Sequence, residues 1–185
     1  LLIELDGSSQ EELMSQAEEL FETLEPFEPG EVQLADSANQ KENFWKIRRS
    51  IGEVVKRESI YKEEETVVPR AKLPQLYNGV KEIGEKYGFD SICYGHAGDG
   101  NLHVNILKGN MINEHWQGKH LEKGIREIFQ LCKSLGGTIS GEHGIGYVQK
   151  KFMNEVFPEH HLQLFKSIKR VFDPKMLLNP NKIID

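Results

Sequence analysis

The stretch Tyr94-Gly95-His96-Ala97-Gly98-Asp99-Gly100-Asn101-Leu102-His103-Val104-Asn105 decides how the chain around it is arranged. Asp-Gly is a favoured pair for the two central residues of a type I′ turn, where both adopt positive φ. With Asp99-Gly100 at the tip, two strands run antiparallel, and the opposed pairs are 98:101, 97:102, 96:103 and 94:105. His96 and His103 then face each other, with Cβ atoms roughly 4.5–5.5 Å apart. Directly opposed residues project to one side of a sheet, so the two imidazoles converge and can share one ion at the ~2.0–2.1 Å typical of zinc–nitrogen bonds. Tyr94 and Asn105 lie on that same side, because side-chain direction alternates along a strand. The same residues also fit a polar hairpin with solvent-facing histidines.

Outward from the hairpin, the pattern alternates between short extended runs and amphipathic helices. Residues 1–6 read as a strand. Ser9 and Glu12 form a capping-box pattern ahead of Leu13, Ala17, Leu20, Phe21 and Leu24 at helical spacing. Residues 31–35 read as a second strand, and 37–57 as a helix with Phe44, Ile47, Ile51 and Val54 as its buried stripe. An extended run over 60–68 leads to a helix over 73–87. After the hairpin, one long helix carries Ile112, Trp116, Leu121, Ile125, Ile128 and Phe129 inward and stops at Gly136-Gly137. A short extended piece (138–140), a helix starting near Gly141-Glu142 and a last helix over about 158–172 complete the chain. Strands joined partly by helices and once by a tight turn predict an α+β fold, with helices on one face of a mainly antiparallel sheet.

Composition narrows the function classes. The 185 residues suffice for a domain with a real core, and 38% hydrophobic with 28% charged residues describes a folded globular chain. A net charge of −6 argues against nucleic acid, whose phosphates need a basic face. Two cysteines, Cys93 and Cys132, form no disulfide framework and no zinc-ribbon spacing, which favours a reducing compartment. No apolar run approaches the ~20 residues of a transmembrane helix. The opening Leu1-Leu2-Ile3-Glu4 has no initiator Met and suggests a piece of something longer.

A second motif strengthens the first. Thr138-Ile139-Ser140-Gly141-Glu142-His143-Gly144-Ile145-Gly146 sets a carboxylate beside an imidazole among glycines, which allow unusual turns and close approach. Glu142 can complete a two-histidine, one-carboxylate set with His96 and His103, leaving coordination positions open. Adjacent side chains diverge, so His143 suits the role of a base just outside that set. In the blander alternative, Glu142 caps a helix and His143 faces solvent.

With both motifs in view, the chain resembles the C-terminal half of the FAD-linked oxidase family, which includes glycolate oxidase flavoprotein subunits, D-lactate dehydrogenases and D-2-hydroxyglutarate dehydrogenases. The resemblance rests on His96 through His103, Ser140 through Gly146, the tail Leu177-Leu178-Asn179-Pro180, the Leu2-Ile3-Glu4 opening and Trp45-Lys46-Ile47-Arg48. It implies a ferredoxin-like α+β cap domain over residues 1–185, with a tail from about 174 packing on an N-terminal flavin domain not contained in this sequence. It implies His96, His103 and Glu142 as ligands of a divalent metal (zinc, manganese or iron) and His143 as the catalytic base. Arg48 and Asn105 match substrate-contacting residues, and Asn179 matches one near the flavin ring. Relatives acting on 2-hydroxyglutarate carry a threonine four residues after the arginine and a lysine further on. Here Gly52 stands at the first place, and Lys62 reaches the second only across a one-residue gap, which counts against a dicarboxylate.

The activity implied is FAD-dependent oxidation of a D-2-hydroxy acid of glycolate or D-lactate type to the 2-oxo acid, the fragment alone being inactive. The partners implied are the substrate, the flavin domain and an electron-acceptor subunit. The location expected is cytoplasmic, with such a subunit as the route to a peripheral membrane association. A stand-alone metal-dependent hydrolase and a non-catalytic interaction module are the rival readings.

Overall fold

A computed structural model of the protein describes residues 1–184, apart from the side chains of Lys56 and Glu58. The chain divides into two compact units, Leu1–Val54 and Val55–Asp185, with the division inside one helix. In the first unit, helix α1 (Gln10–Leu24) begins as the sequence predicts. The Ser9 hydroxyl accepts from the Glu12 N–H (3.2 Å), while the Glu12 carboxylate accepts from the N–H of Ser8 (2.8 Å). Helix α2 (Ala38–Glu58) also forms, but its expected buried stripe does not, since Ile47 and Val54 are exposed. The strands expected over 1–6 and 31–35 are irregular instead, without ladder partners among the described residues. A strand needs a neighbour for its N–H and C=O groups, and local sequence does not supply one.

The second unit holds strands β1 (Tyr61–Val67), β2 (Asp90–His96), β3 (Asn101–Leu107) and β4 (Thr138–Ile139), with helix α3 (Leu73–Tyr87) between the first two. Helices α4 (Asn113–Gln117) and α5 (Lys119–Ser134) precede β4, while α6 (Met153–Val156) and α7 (Glu159–Phe172) follow it. The sheet is antiparallel throughout, in the order β2-β3-β1-β4. This is a β-α-β-β-α-β arrangement of ferredoxin-like type, as the α+β expectation required. Val104 and Ile106, pointing to one side of β3, are fully buried in a core with Leu76 and Val80 of α3 and Ile128 and Phe129 of α5. The opposite side of β3 presents Asn101, His103 and Asn105.

Two expected helices change. The long one breaks at Gly118 (ψ −172°) into α4 and α5. The one expected near Gly141 is a series of bends, with Ser140, Gly144 and Gly146 at φ of 62°, 82° and 52°. Left-handed residues at this frequency are incompatible with a right-handed helix. No helix among the described residues is long and apolar enough to cross a membrane.

Candidate metal and substrate site

The hairpin forms with a different turn from the one expected. Residues 97–99 make a single 3-10 turn and Gly100 closes it at φ 75°, its N–H donating to the Ala97 carbonyl at 3.2 Å. A side chain at Gly100 would force the backbone to shift, because a Cβ there would stand 2.0 Å from the Val68 carbonyl oxygen. The loop thus has four residues rather than two, and His103 lies opposite Tyr94 while His96 lies opposite Asn101. The predicted 96:103 pairing is displaced by two positions. An even displacement keeps every side chain on its original face, whereas an odd one would have inverted them all. His96, His103, Tyr94 and Asn105 accordingly remain on one side, the histidine rings diagonal neighbours with centroids 6.0 Å apart.

Glu142 meets them from the bend after β4. One carboxylate oxygen, Oε1, lies 3.1 Å from His103 Nε2, 3.5 Å from His96 Nε2 and 3.8 Å from His143 Nε2. Two ligand atoms each ~2.1 Å from an ion stand roughly 3.0–3.4 Å apart at angles of 90–109°. The His96–Glu142 and His103–Glu142 separations therefore suit neighbouring ligands of one small cation. Asn105 is fully buried on the same face, its Nδ2 donating to the Ile92 carbonyl (3.3 Å) while its Oδ1 has no partner. An orphaned acceptor beside imidazoles and carboxylates marks a place shaped for a further polar group.

Strand β1 contributes residues that sequence reading missed. Glu65 is paired with His103 and Glu63 with Asn105, so both carboxylates point to the site face. The signal was present in Glu63-Glu64-Glu65 within an extended run: alternation sends the first and third one way and the second the other. Glu65 is 2% exposed. Its Oε1 accepts from Asn101 Nδ2 (3.0 Å) and the Glu142 N–H (2.8 Å), and its Oε2 from the Ser140 hydroxyl (3.0 Å) and the His143 N–H (2.9 Å). Burial opposes its charge, but these donors, His143 and Glu142 N–H foremost, outweigh burial and hold the carboxyl below the usual range. Among the described residues, the four whose ligand atoms all lie within 4.8 Å of one another are Glu65, His103, Glu142 and His143, a set that leaves out His96. With two donors on each oxygen, however, the lone pairs of Glu65 are taken. Its work is to shape the bend that carries Glu142 and His143.

The remaining predicted residues fall in different places. His143 is half exposed, with its ring centroid 4.9 Å from that of His103 and its Nδ1 3.9 Å from both Glu63 and Glu65. Lys62 is on the opposite face of β1. Its Nζ donates to the Trp116 carbonyl (2.9 Å) and lies 5.0 Å over the Trp116 ring, away from the face that carries His103. The one-residue gap explains this: the neighbouring position, Glu63, is the one whose side chain reaches the site. Arg48 sits on α2 in the first unit. Asn179 stands in an exposed turn of the tail at φ 45°, its carbonyl accepting from the Lys182 N–H. Asn181 is also left-handed, at φ 62°, a conformation that Asn tolerates.

An antiparallel ferredoxin-like domain with two imidazoles and a carboxylate meeting on one sheet face defines a class, and comparison with known proteins names it. Residues 1–183 match the family "FAD linked oxidases, C-terminal domain", and the chain belongs to that family. A D-lactate dehydrogenase of Archaeoglobus fulgidus is 36% identical over 94% of this chain and 38% of its own length. Glycolate oxidase subunit GlcD of Escherichia coli K12 is 34% identical over the whole chain and 36% of its own length. A D-2-hydroxyglutarate dehydrogenase of Stutzerimonas stutzeri is 32% identical over 98% of the chain and 39% of its own length. The chain thus spans about two fifths of the curated relatives it matches.

Proposed function

We propose that this chain is the metal- and substrate-binding part of an FAD-dependent dehydrogenase that oxidises a D-2-hydroxy acid of glycolate or D-lactate type to the 2-oxo acid. The observation that carries the reading is the meeting of His96, His103 and Glu142 at a single carboxylate oxygen, in a chain of this family. Those three residues would hold a divalent zinc, manganese or iron ion, the cations that imidazole and carboxylate donors suit. Such an ion supplies charge stabilisation at a substrate hydroxyl, and a bound flavin supplies the two-electron acceptor. His143, half exposed and beside the ligand set, accepts the hydroxyl proton. Asn105, on the same face two residues from His103, is the substrate-contacting asparagine of this reading. The family resemblance alone carries Arg48 as the partner of the substrate carboxylate and Asn179 as the residue near the flavin.

In this reading the flavin is held mainly by a separate flavin-binding domain of the full-length protein. An apolar face on α7 and the tail, with Leu164, Ile168, Val171, Phe172, Leu177 and Leu178 exposed, supports such a partner body. The family match favours oxidation over the hydrolase reading, and the converging imidazoles favour a site over a passive module.

The test is elemental analysis of the full-length protein with a screen of D-2-hydroxy acids and an artificial electron acceptor. We expect about one equivalent of divalent metal and turnover of glycolate or D-lactate, with His103→Ala and His143→Ala both reducing kcat by at least two orders of magnitude, but only the former releasing metal. Residues 1–185 alone should turn over nothing. Undiminished oxidation after metal removal, or metal retained by His103→Ala, would end the proposal.

A further inference from the structure

Glu63 lies outside the ligand set, yet it touches the most buried member of that set. Its Oε1 is 3.2 Å from Nδ1 of His103, a side chain only 5% exposed. The imidazole is otherwise packed by rings, with Tyr94 stacked at 5.6 Å between centroids and His143 at 4.9 Å. An imidazole so enclosed has its two nitrogens committed to two directions: Nδ1 to Glu63, and Nε2 to Glu142 at 3.1 Å. A neutral imidazole carries one proton, and the group at one nitrogen decides which nitrogen keeps it.

We infer that Glu63 is the positioning residue of this site: by accepting a hydrogen bond from His103 Nδ1–H it leaves the Nε2 lone pair aimed at the point shared with His96 and Glu142. The inference rests on the metal-site reading proposed above, and it adds a residue to that site which no ligand motif contains. The backbone makes the contact dependable. Glu63 lies on β1, opposite Asn105 and two residues from the partner of His103, so the ladder itself sets carboxylate and imidazole side by side. Carboxylate–histidine–metal relays of this form fix ring orientation and tautomer, and their loss typically lowers metal affinity 10–100-fold.

The test uses the full-length protein with Glu63→Ala and Glu63→Gln, and Co²⁺ as the probe. In the Co²⁺-loaded protein, Nδ1–H of His103 should give a hyperfine-shifted proton signal that disappears in D₂O. Glu63→Ala should bind Co²⁺ 10–100-fold more weakly and lose that signal to solvent exchange. Glu63→Gln, which keeps a carbonyl acceptor, should hold affinity within a few-fold and retain the signal. A second arm needs no metal. In a Glu142→Ala background under alkaline conditions, ¹⁵N shifts should report the Nδ1–H tautomer of His103, and adding Glu63→Ala should abolish that preference. Wild-type affinity in Glu63→Ala, or a tautomer indifferent to Glu63, overturns the inference. A wild-type protein that binds no Co²⁺, Zn²⁺ or Mn²⁺, while the tautomer still follows Glu63, sinks the functional reading and leaves the positioning role standing.

Discussion

Glu65 shows how one side chain can matter to a site without belonging to its reacting atoms. Its two oxygens receive four donors, two of them the N–H groups of Glu142 and His143. Glu65→Gln would replace one oxygen by an NH₂ group facing donors. Each buried donor left unsatisfied costs about 1–3 kcal/mol, so a loss of roughly 2–5 kcal/mol in urea unfolding at pH 7 is expected. Loss of less than half a kcal/mol would show that the bend does not depend on Glu65. The pH dependence has a definite sign. Because the folded-state value is depressed, the Glu65 contribution is complete above the ordinary carboxylate value and is lost as pH falls through the lower folded value. The residue was legible in sequence only as one of three glutamates in a row. Its burial was not, because a buried carboxylate is unfavourable until the donors from a bend some 75 residues away arrive.

At the scale of the element, the hairpin and its turn decide where His96 and His103 stand. Sequence located both strands and assigned the correct face to His96, His103 and Asn105, but its two-residue turn was wrong. The Gly100 N–H bonds Ala97, and the Gly100 carbonyl receives the Val68 N–H at 3.0 Å, a tertiary contact with the end of β1. That contact holds the wider loop, and no local preference for Asp-Gly could reveal it. Gly100→Ala should destabilise the protein by at least about 2 kcal/mol, combining the ~1–2 kcal/mol cost of a left-handed non-glycine residue with the collision at Val68. It should also weaken divalent-metal binding, read by chelator competition. A variant with wild-type melting temperature and affinity would show the turn to be adaptable. The helix expected at Gly141 fails for a related reason, since the bend is tied down by Glu65 and not by its own backbone ladder.

For the whole molecule, the sheet separates two chemistries by parity alone. Glu63 and Glu65 join the site, while Glu64 turns to the other face, where it is 2% exposed and accepts from Gln149 Nε2 at 3.4 Å. Burial pushes its carboxyl up to about 7, against the pull of Gln149, Lys151 and Lys62. Since the folded value exceeds the ordinary 4.5, stability is intact below that value and is lost as pH rises through about 7. The displacement corresponds to about 3 kcal/mol, so Glu64→Gln should gain up to that amount at pH 8 and almost nothing at pH 4. Equal effects at both pH values in thermal unfolding would contradict it. By itself the sequence determined the α+β class, most of the helices and the hairpin with the shared face of His96, His103 and Asn105, because these follow from periodicity and glycine placement. Only the tertiary structure decided that residues 1–6 and 31–35 form no strand, that Lys62 faces away, and that Glu63 and Glu65 flank His103. Those outcomes depend on which strand pairs with which, and pairing is a contest between distant segments for the same hydrogen bonds and the same core.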